Sequence, residues 1–106
     1  MKVARLREVA RRDVEGAVDY YVGEGGEALA LRFVAVLQRV LDLIARHPAA
    51  GSPRFGYELQ LPGLRTHSLR DFPYLVFYVE RDDFVDVWRV LHGSRDVPAW
   101  LLDPGA

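Results

Sequence analysis

Tyr74-Leu75-Val76-Phe77-Tyr78-Val79, then Glu80-Arg81-Asp82-Asp83, then Phe84 to Leu91 decides the fold of this chain. The first six residues are apolar at both parities, the pattern of a strand covered on both faces rather than one that meets water on one side. Phe84 to Leu91 is a second strand rich in valine and aromatics. The four charged residues between them have the length of a hairpin loop. Upstream, Leu64 to Leu69 alternates weakly and reads as a third strand, set off by the Pro62-Gly63 turn. Downstream, after His92-Gly93-Ser94, the run Asp96 to Leu101 reads as a short helix with Asp96 as N-cap and Pro98 in the first turn. The tail from Asp103 reads as frayed.

The other half of the chain is helical. From Val9 the apolar positions Ala10, Val14, Ala17, Val18 and Tyr21 share one helix face. Gly16 inside that helix costs about 1 kcal/mol relative to alanine. Gly23 and Gly25-Gly26 end it, because glycine supplies the left-handed cap. A second helix, from about Glu27 to Arg46, carries the stripe Phe33, Val36, Leu37, Val40, Leu41 and Ile44. His47-Pro48 stops it, since proline disfavours helical geometry in the residue before it. So short a connection predicts an antiparallel helix hairpin. Residues 2–7 alternate as an N-terminal strand, with Ala4 and Leu6 on one face. Between Pro48 and Gly63 the prolines and glycines predict loop, with a short edge strand at Tyr57–Leu61. The expected fold is therefore a single α+β domain over residues 1–106: an N-terminal strand, a helix hairpin packed on a mostly antiparallel sheet of about four strands, and a short C-terminal helix.

Composition narrows function. The 106 residues carry 14 Lys plus Arg against 15 Asp plus Glu, a net charge of −1. A small protein that lives on nucleic acid usually shows a basic excess, because phosphate contacts carry much of the affinity. Lys2 is the only lysine, so the basic groups are almost all guanidinium forks suited to bidentate anion contacts. The absence of cysteine excludes disulfides and thiolate metal sites. The N-terminal charges leave no secretory h-region, and the longest near-apolar run, Leu29 to Leu37, is broken by Arg32 and too short for a bilayer. The expected location is the cytoplasm, with no membrane partner.

Few residues suggest chemistry. His47, His67 and His92 lie in separate segments without a ligand-spaced pair, so no metal and no cofactor is expected. Gly23-Glu24-Gly25-Gly26 lacks the Lys-Ser/Thr of a phosphate loop. Ser52, Ser68 and Ser94 lack a nucleophile elbow. What remains is a set of cations on the sheet half: Arg65, Arg70, Arg89, His92 and Arg95. If Val87 and Leu91 face the helices, Arg89 interrupts an apolar face and requires a partner such as Asp71 or Asp96. Arg89 and Arg95 then either tie the C-terminal segment to the sheet or line a face that meets an anion.

The order of segments and several local strings resemble the RelE/ParE superfamily of bacterial type II toxins, and its ParE-like branch most closely. The strings are Leu6 with Ala10, Asp13 and Val14; the Pro48-x-x-Gly51 exit from the second helix; Leu64-Arg65 leading to Asp71-Phe72-Pro73-Tyr74-Leu75-Val76-Phe77-Tyr78; and Val87-Trp88-Arg89-Val90-Leu91-His92-Gly93-Ser94-Arg95-Asp96. The resemblance implies a toxin that a cognate ParD-like antitoxin wraps and neutralises in a hetero-oligomer. ParE-like members inhibit DNA gyrase and do no chemistry; RelE-type members are ribosome-dependent mRNA endonucleases. Many of the nucleases place an arginine second in the central strand, where this chain has Leu75. That favours gyrase inhibition, with no catalytic residue. The nuclease alternative would use His92, Arg89 and Arg95, and a third reading is a degenerate toxin that only binds its antitoxin. Target contacts are expected on the sheet side and the C-terminal segment, at Arg65, Arg70, Arg89, His92, Arg95 and Trp100, with Trp and Arg the types that most often anchor interfaces; Trp100 reads equally as a core contact that docks the last helix on the sheet. Tyr20, Tyr21 and Val22, near the tip of the helix hairpin, are the candidates for the antitoxin contact, or else plain core.

Overall fold

β3 (Tyr74–Glu80) lies between two antiparallel neighbours, β2 (Leu64–Ser68) and β4 (Phe84–His92). β1 (Val3–Leu6) joins the other flank of β4 in parallel, Val3 opposite Phe84 and Leu6 opposite Val87, giving a mixed sheet ordered β1-β4-β3-β2. The computed structural model describes residues 1–94 together with Ala99 and Leu101. Asp96, Arg95, Trp100 and most of the expected C-terminal helix lie outside the described residues. As its composition predicts, β3 is covered on both faces. Val76 and Tyr78 enter the core beneath the helices, while Phe77 and Val79 enter a second core with Leu64, Leu91, Phe55 and Leu101.

The helical layer is α1 (Glu8–Arg46), broken at Gly26, where φ is +78° and ψ is −174°. The chain reverses there. The Tyr21 and Phe33 rings are 5.3 Å apart, whereas twelve residues of straight helix would separate them by about 18 Å. Gly23 and Gly25 remain helical, so a single positive-φ residue makes the turn for which three glycines seemed available. The reversed halves enclose Tyr21, Phe33, Phe72 and Tyr74, whose rings pack mostly edge to face, a geometry that adds to simple area burial.

Two expectations are corrected. Tyr57–Leu61 is not an edge strand. Residues Arg54–Glu58 form a one-turn helix, α2, after a 3-10 turn at Pro48–Ala50. Phe55 packs on Phe77 at 5.4 Å between centroids. Leu59 and Leu61 also join the outer core, while Tyr57 stays in solvent. The bridge to the outer edge of β2 is made instead by Ser52, paired with Thr66. The second correction concerns parity in β4. The register skips Trp88, since Phe77 faces Arg89 and Tyr78 faces Val87. Such a bulge moves every later side chain to the opposite face. Val87 thus meets the helices as expected, but Leu91 lies in the outer core.

Two polar locks hold the layers. The Tyr78 hydroxyl donates to the Pro48 carbonyl at 2.7 Å and accepts the Gly51 N–H at 2.8 Å. Burial raises the Tyr78 phenol above its usual range, so it stays a donor. A Cβ at residue 51 would lie 2.6 Å from that oxygen, which explains the glycine in Pro48-x-x-Gly51. At the opposite end, Asp86 takes two guanidinium bonds from Arg7, two from Arg81 and one from the Trp88 indole. Burial pushes the Asp86 carboxyl up, but these donors outweigh it and hold it below the usual carboxylate range.

The Tyr78 lock predicts that Gly51→Ala destabilises the fold by about 1–3 kcal/mol through overpacking, and that adding Tyr78→Phe costs less than the two singles summed, because both act on one contact. Urea denaturation of the three variants measures this. For Asp86 the folded pKa is depressed, so its stabilisation is present above about pH 4 and is lost as the pH falls through the folded value. Asp86→Asn should therefore flatten the acid limb of a stability–pH profile while lowering stability at neutral pH.

Candidate functional site

The sheet-half cations do not converge on a free face. Arg89 is 2% exposed, and its Nε and a terminal nitrogen each bond Asp13 at 2.8 Å. Asp13 also accepts the Val90 N–H at 3.0 Å. Among the described residues the partner of Arg89 is therefore Asp13 on α1 rather than Asp71; the other candidate, Asp96, lies outside them. The geometry follows from the short first strand. β1 ends opposite Val87, so α1 flanks β4 at Arg89 and Val90, and Asp13 accepts the amide that a neighbouring strand would have taken. Arg89 is thus held in the frame by an ion pair, the structural one of the two roles expected of it.

The remaining candidates separate. Arg65 on β2 is half-buried and donates to the carbonyls of Gly51 at 2.8 Å and Ala49 at 3.4 Å, so it braces the turn after α1. Arg70 is exposed. Arg95 and Trp100 lie outside the described residues. Leu75 is half-buried and packs against the outer core. His92 ends β4, with its ring 5.2 Å from that of Tyr74. Its Nδ1 accepts the Ser94 N–H at 3.1 Å and lies 2.7 Å from the Ser94 hydroxyl, an arrangement that leaves Nε2 as the outward nitrogen. Of the three residues read as antitoxin contact or core, Tyr20 and Val22 are exposed, whereas Tyr21 is buried among Phe33, Phe72 and Tyr74 and belongs to the core. Leu31 and Val34 add two exposed apolar side chains to the second half of α1.

Tyr20 and His92, assigned from the sequence to different partners, line one groove of about 570 Å³ between the first half of α1 and the end of β4. Arg12, Asp13, Gly16, Tyr74 and Ser94 are among the other residues that line it. Gly16, a cost to the helix, lies on this wall, and Arg12 and Ser94 join it without any sequence motif that marks them. The signal was present in the spacing: Arg12, Asp13, Gly16, Ala17 and Tyr20 recur at one and three residues, a single helix face adjoining the apolar stripe. Among the described residues no three His, Asp or Glu side chains gather where they could hold a metal ion. No helix among them is long and apolar enough to cross a membrane.

Comparison with known proteins agrees with this architecture. The family profile described as ParE toxin of type II toxin-antitoxin system, parDE, matches residues 4–97. The chain is 31% identical over 97 residues to the candidate toxin Y4kP of Sinorhizobium fredii, covering 91% of both. Its fold matches a solved structure of the chromosomal ParDE toxin–antitoxin system of P. aeruginosa, with a TM-score of 0.73 at 21% identity over 87% of this chain and 96% of the other. This chain belongs to the ParE toxin family of type II toxin–antitoxin systems.

Removing one partner of the buried ion pair strands the other. Asp13→Ala should cost about 3–5 kcal/mol in denaturant titration, and any loss of toxicity in that variant should follow the loss of folded protein.

Proposed function

We propose that the protein acts in the cytoplasm as an inhibitor of DNA gyrase, working by binding rather than by chemistry, and that a ParD-like antitoxin neutralises it. The observation that carries this reading is the fate of Arg89. A nuclease of this fold needs cations free to stabilise developing charge, with a general acid or base nearby. Here Arg89 is buried against Asp13, Arg65 is turned to backbone carbonyls, and Leu75 stands where many of the nucleases carry an arginine. The net charge of −1 also favours a protein target over a polyanion. Target contact then falls to His92 and Arg70, with Arg95 and Trp100 as the further candidates. The antitoxin contact falls to the helix hairpin near Tyr20 and Val22.

Purified protein should block gyrase supercoiling in a dose-dependent manner and leave mRNA intact in a translating extract, with the antitoxin restoring supercoiling. Cleavage of ribosome-bound mRNA, abolished by His92→Ala, would instead establish the nuclease reading. Harmless expression without the antitoxin would point to the degenerate toxin.

A further inference from the structure

We propose that a pocket on the face of the sheet turned away from α1 binds a carboxylate, and that it receives an acidic side chain of the target; the identity of that occupant rests on the gyrase reading above. The pocket encloses about 330 Å³. Its sheet side is Thr66 and Ser68 on β2, Leu75 on β3 and Gly93 just past β4. Thr66 stands opposite Phe77 and, two residues from Leu64, shares the outer face with it. Ser52, Arg54 and Phe55 wall the pocket from the connection that follows α1.

The observation that points to a ligand is Thr66. It is 8% exposed, and its hydroxyl is withdrawn from water with no hydrogen-bond partner among the described residues. A buried hydroxyl left in this way costs free energy that the fold does not recover. The groups around it are short of an acceptor. Ser52 Oγ accepts the Arg54 N–H at 3.2 Å, which leaves its own proton to donate. Arg54 is 69% exposed and holds Glu58 only loosely, at 3.7 Å, while its guanidinium lies 4.9 Å from the centre of the Phe55 ring. Among the described residues no carboxylate lines the pocket. Three hydroxyls and a guanidinium without an acid call for an anion. One cation suits one charge, whereas a nucleic-acid strand brings several phosphates and needs several cations. Leu75 and the Phe55 ring supply apolar surface, which fits the aliphatic stem of an aspartate or glutamate.

The test uses the full chain. In amide-resolved NMR, glutarate should shift Thr66, Ser68 and Gly93 to saturation, inorganic phosphate should shift them less, and Arg54→Gln should abolish the response. Thr66→Val removes a hydroxyl that has no bond to lose, so the midpoint of thermal unfolding should be unchanged or higher. The concentration for half-inhibition of gyrase supercoiling should nevertheless rise at least threefold, and for Arg54→Gln at least tenfold. Inhibition by either variant within twofold of the parent would overturn the proposal. So would silence of these amides toward glutarate, a stronger response to phosphate, or a Thr66→Val chain that loses stability and inhibition in proportion. If the parent chain does not inhibit gyrase although glutarate binds, the gyrase reading fails and the carboxylate pocket stands without that occupant.

Discussion

A guanidinium and a carboxylate, both withdrawn from water, join the helical layer of this toxin to its sheet. Burying an ion pair costs desolvation that a single contact rarely recovers. Asp13 and Arg89 meet that cost with two parallel N–H···O bonds, and Asp13 adds a third from the Val90 amide. The pair is directional in a way that apolar packing is not. It sets the rotation of the first half of α1 about its axis, because Asp13 must point at β4. Ala10, Ala17 and Tyr21 then turn into the core, and Arg12, Gly16 and Tyr20 turn toward the groove.

The sequence was most legible where one period dominated. Phe33 to Ile44 could only be a core-facing helix, and Tyr74 to Val79 only a strand covered twice. It was least legible where a local irregularity overrode the period. The bulge at Trp88 is one such place: strand parity puts Val87 and Leu91 on one face, and one extra residue separates them. The segment 54–58 is another. Tyr57, Leu59 and Leu61 alternate like an edge strand, yet Phe55 gains more by docking on Phe77 in a helical turn, and Gly56 permits the close approach to the Leu64 carbonyl. The partner of Arg89 was illegible for a different reason. Asp13 and Arg89 are 76 residues apart, and only the tertiary fold brings them together.

The arginine-rich composition takes on a different meaning in the folded chain. Arg7 and Arg81 serve Asp86, Arg89 serves Asp13, and Arg65 serves two carbonyls. In each case the guanidinium fork is used for structure, where lysine would supply a point charge without the paired geometry. The net charge is set by 14 basic against 15 acidic residues, and four of those basic groups, Arg7, Arg65, Arg81 and Arg89, are held by partners within the fold. For a nuclease that would be a poor use of the side chains best suited to phosphate. For a protein that docks on another protein it costs nothing, since such interfaces depend on shape and a few anchors.

The same frame accounts for the groove. β1 is four residues long against nine in β4, so among the described residues β4 runs on past its neighbouring strand on that flank. A sheet flank of this kind normally invites another strand. Here Asp13 satisfies the first open amide and blocks indiscriminate pairing at that point, while Gly16 leaves the next stretch unobstructed. One helix face thus closes part of the flank and opens the rest, and the division falls between Asp13 and Gly16, one turn apart. A longer β1 would have hidden His92 behind a neighbour. A larger residue at position 16 would have filled the space beside it.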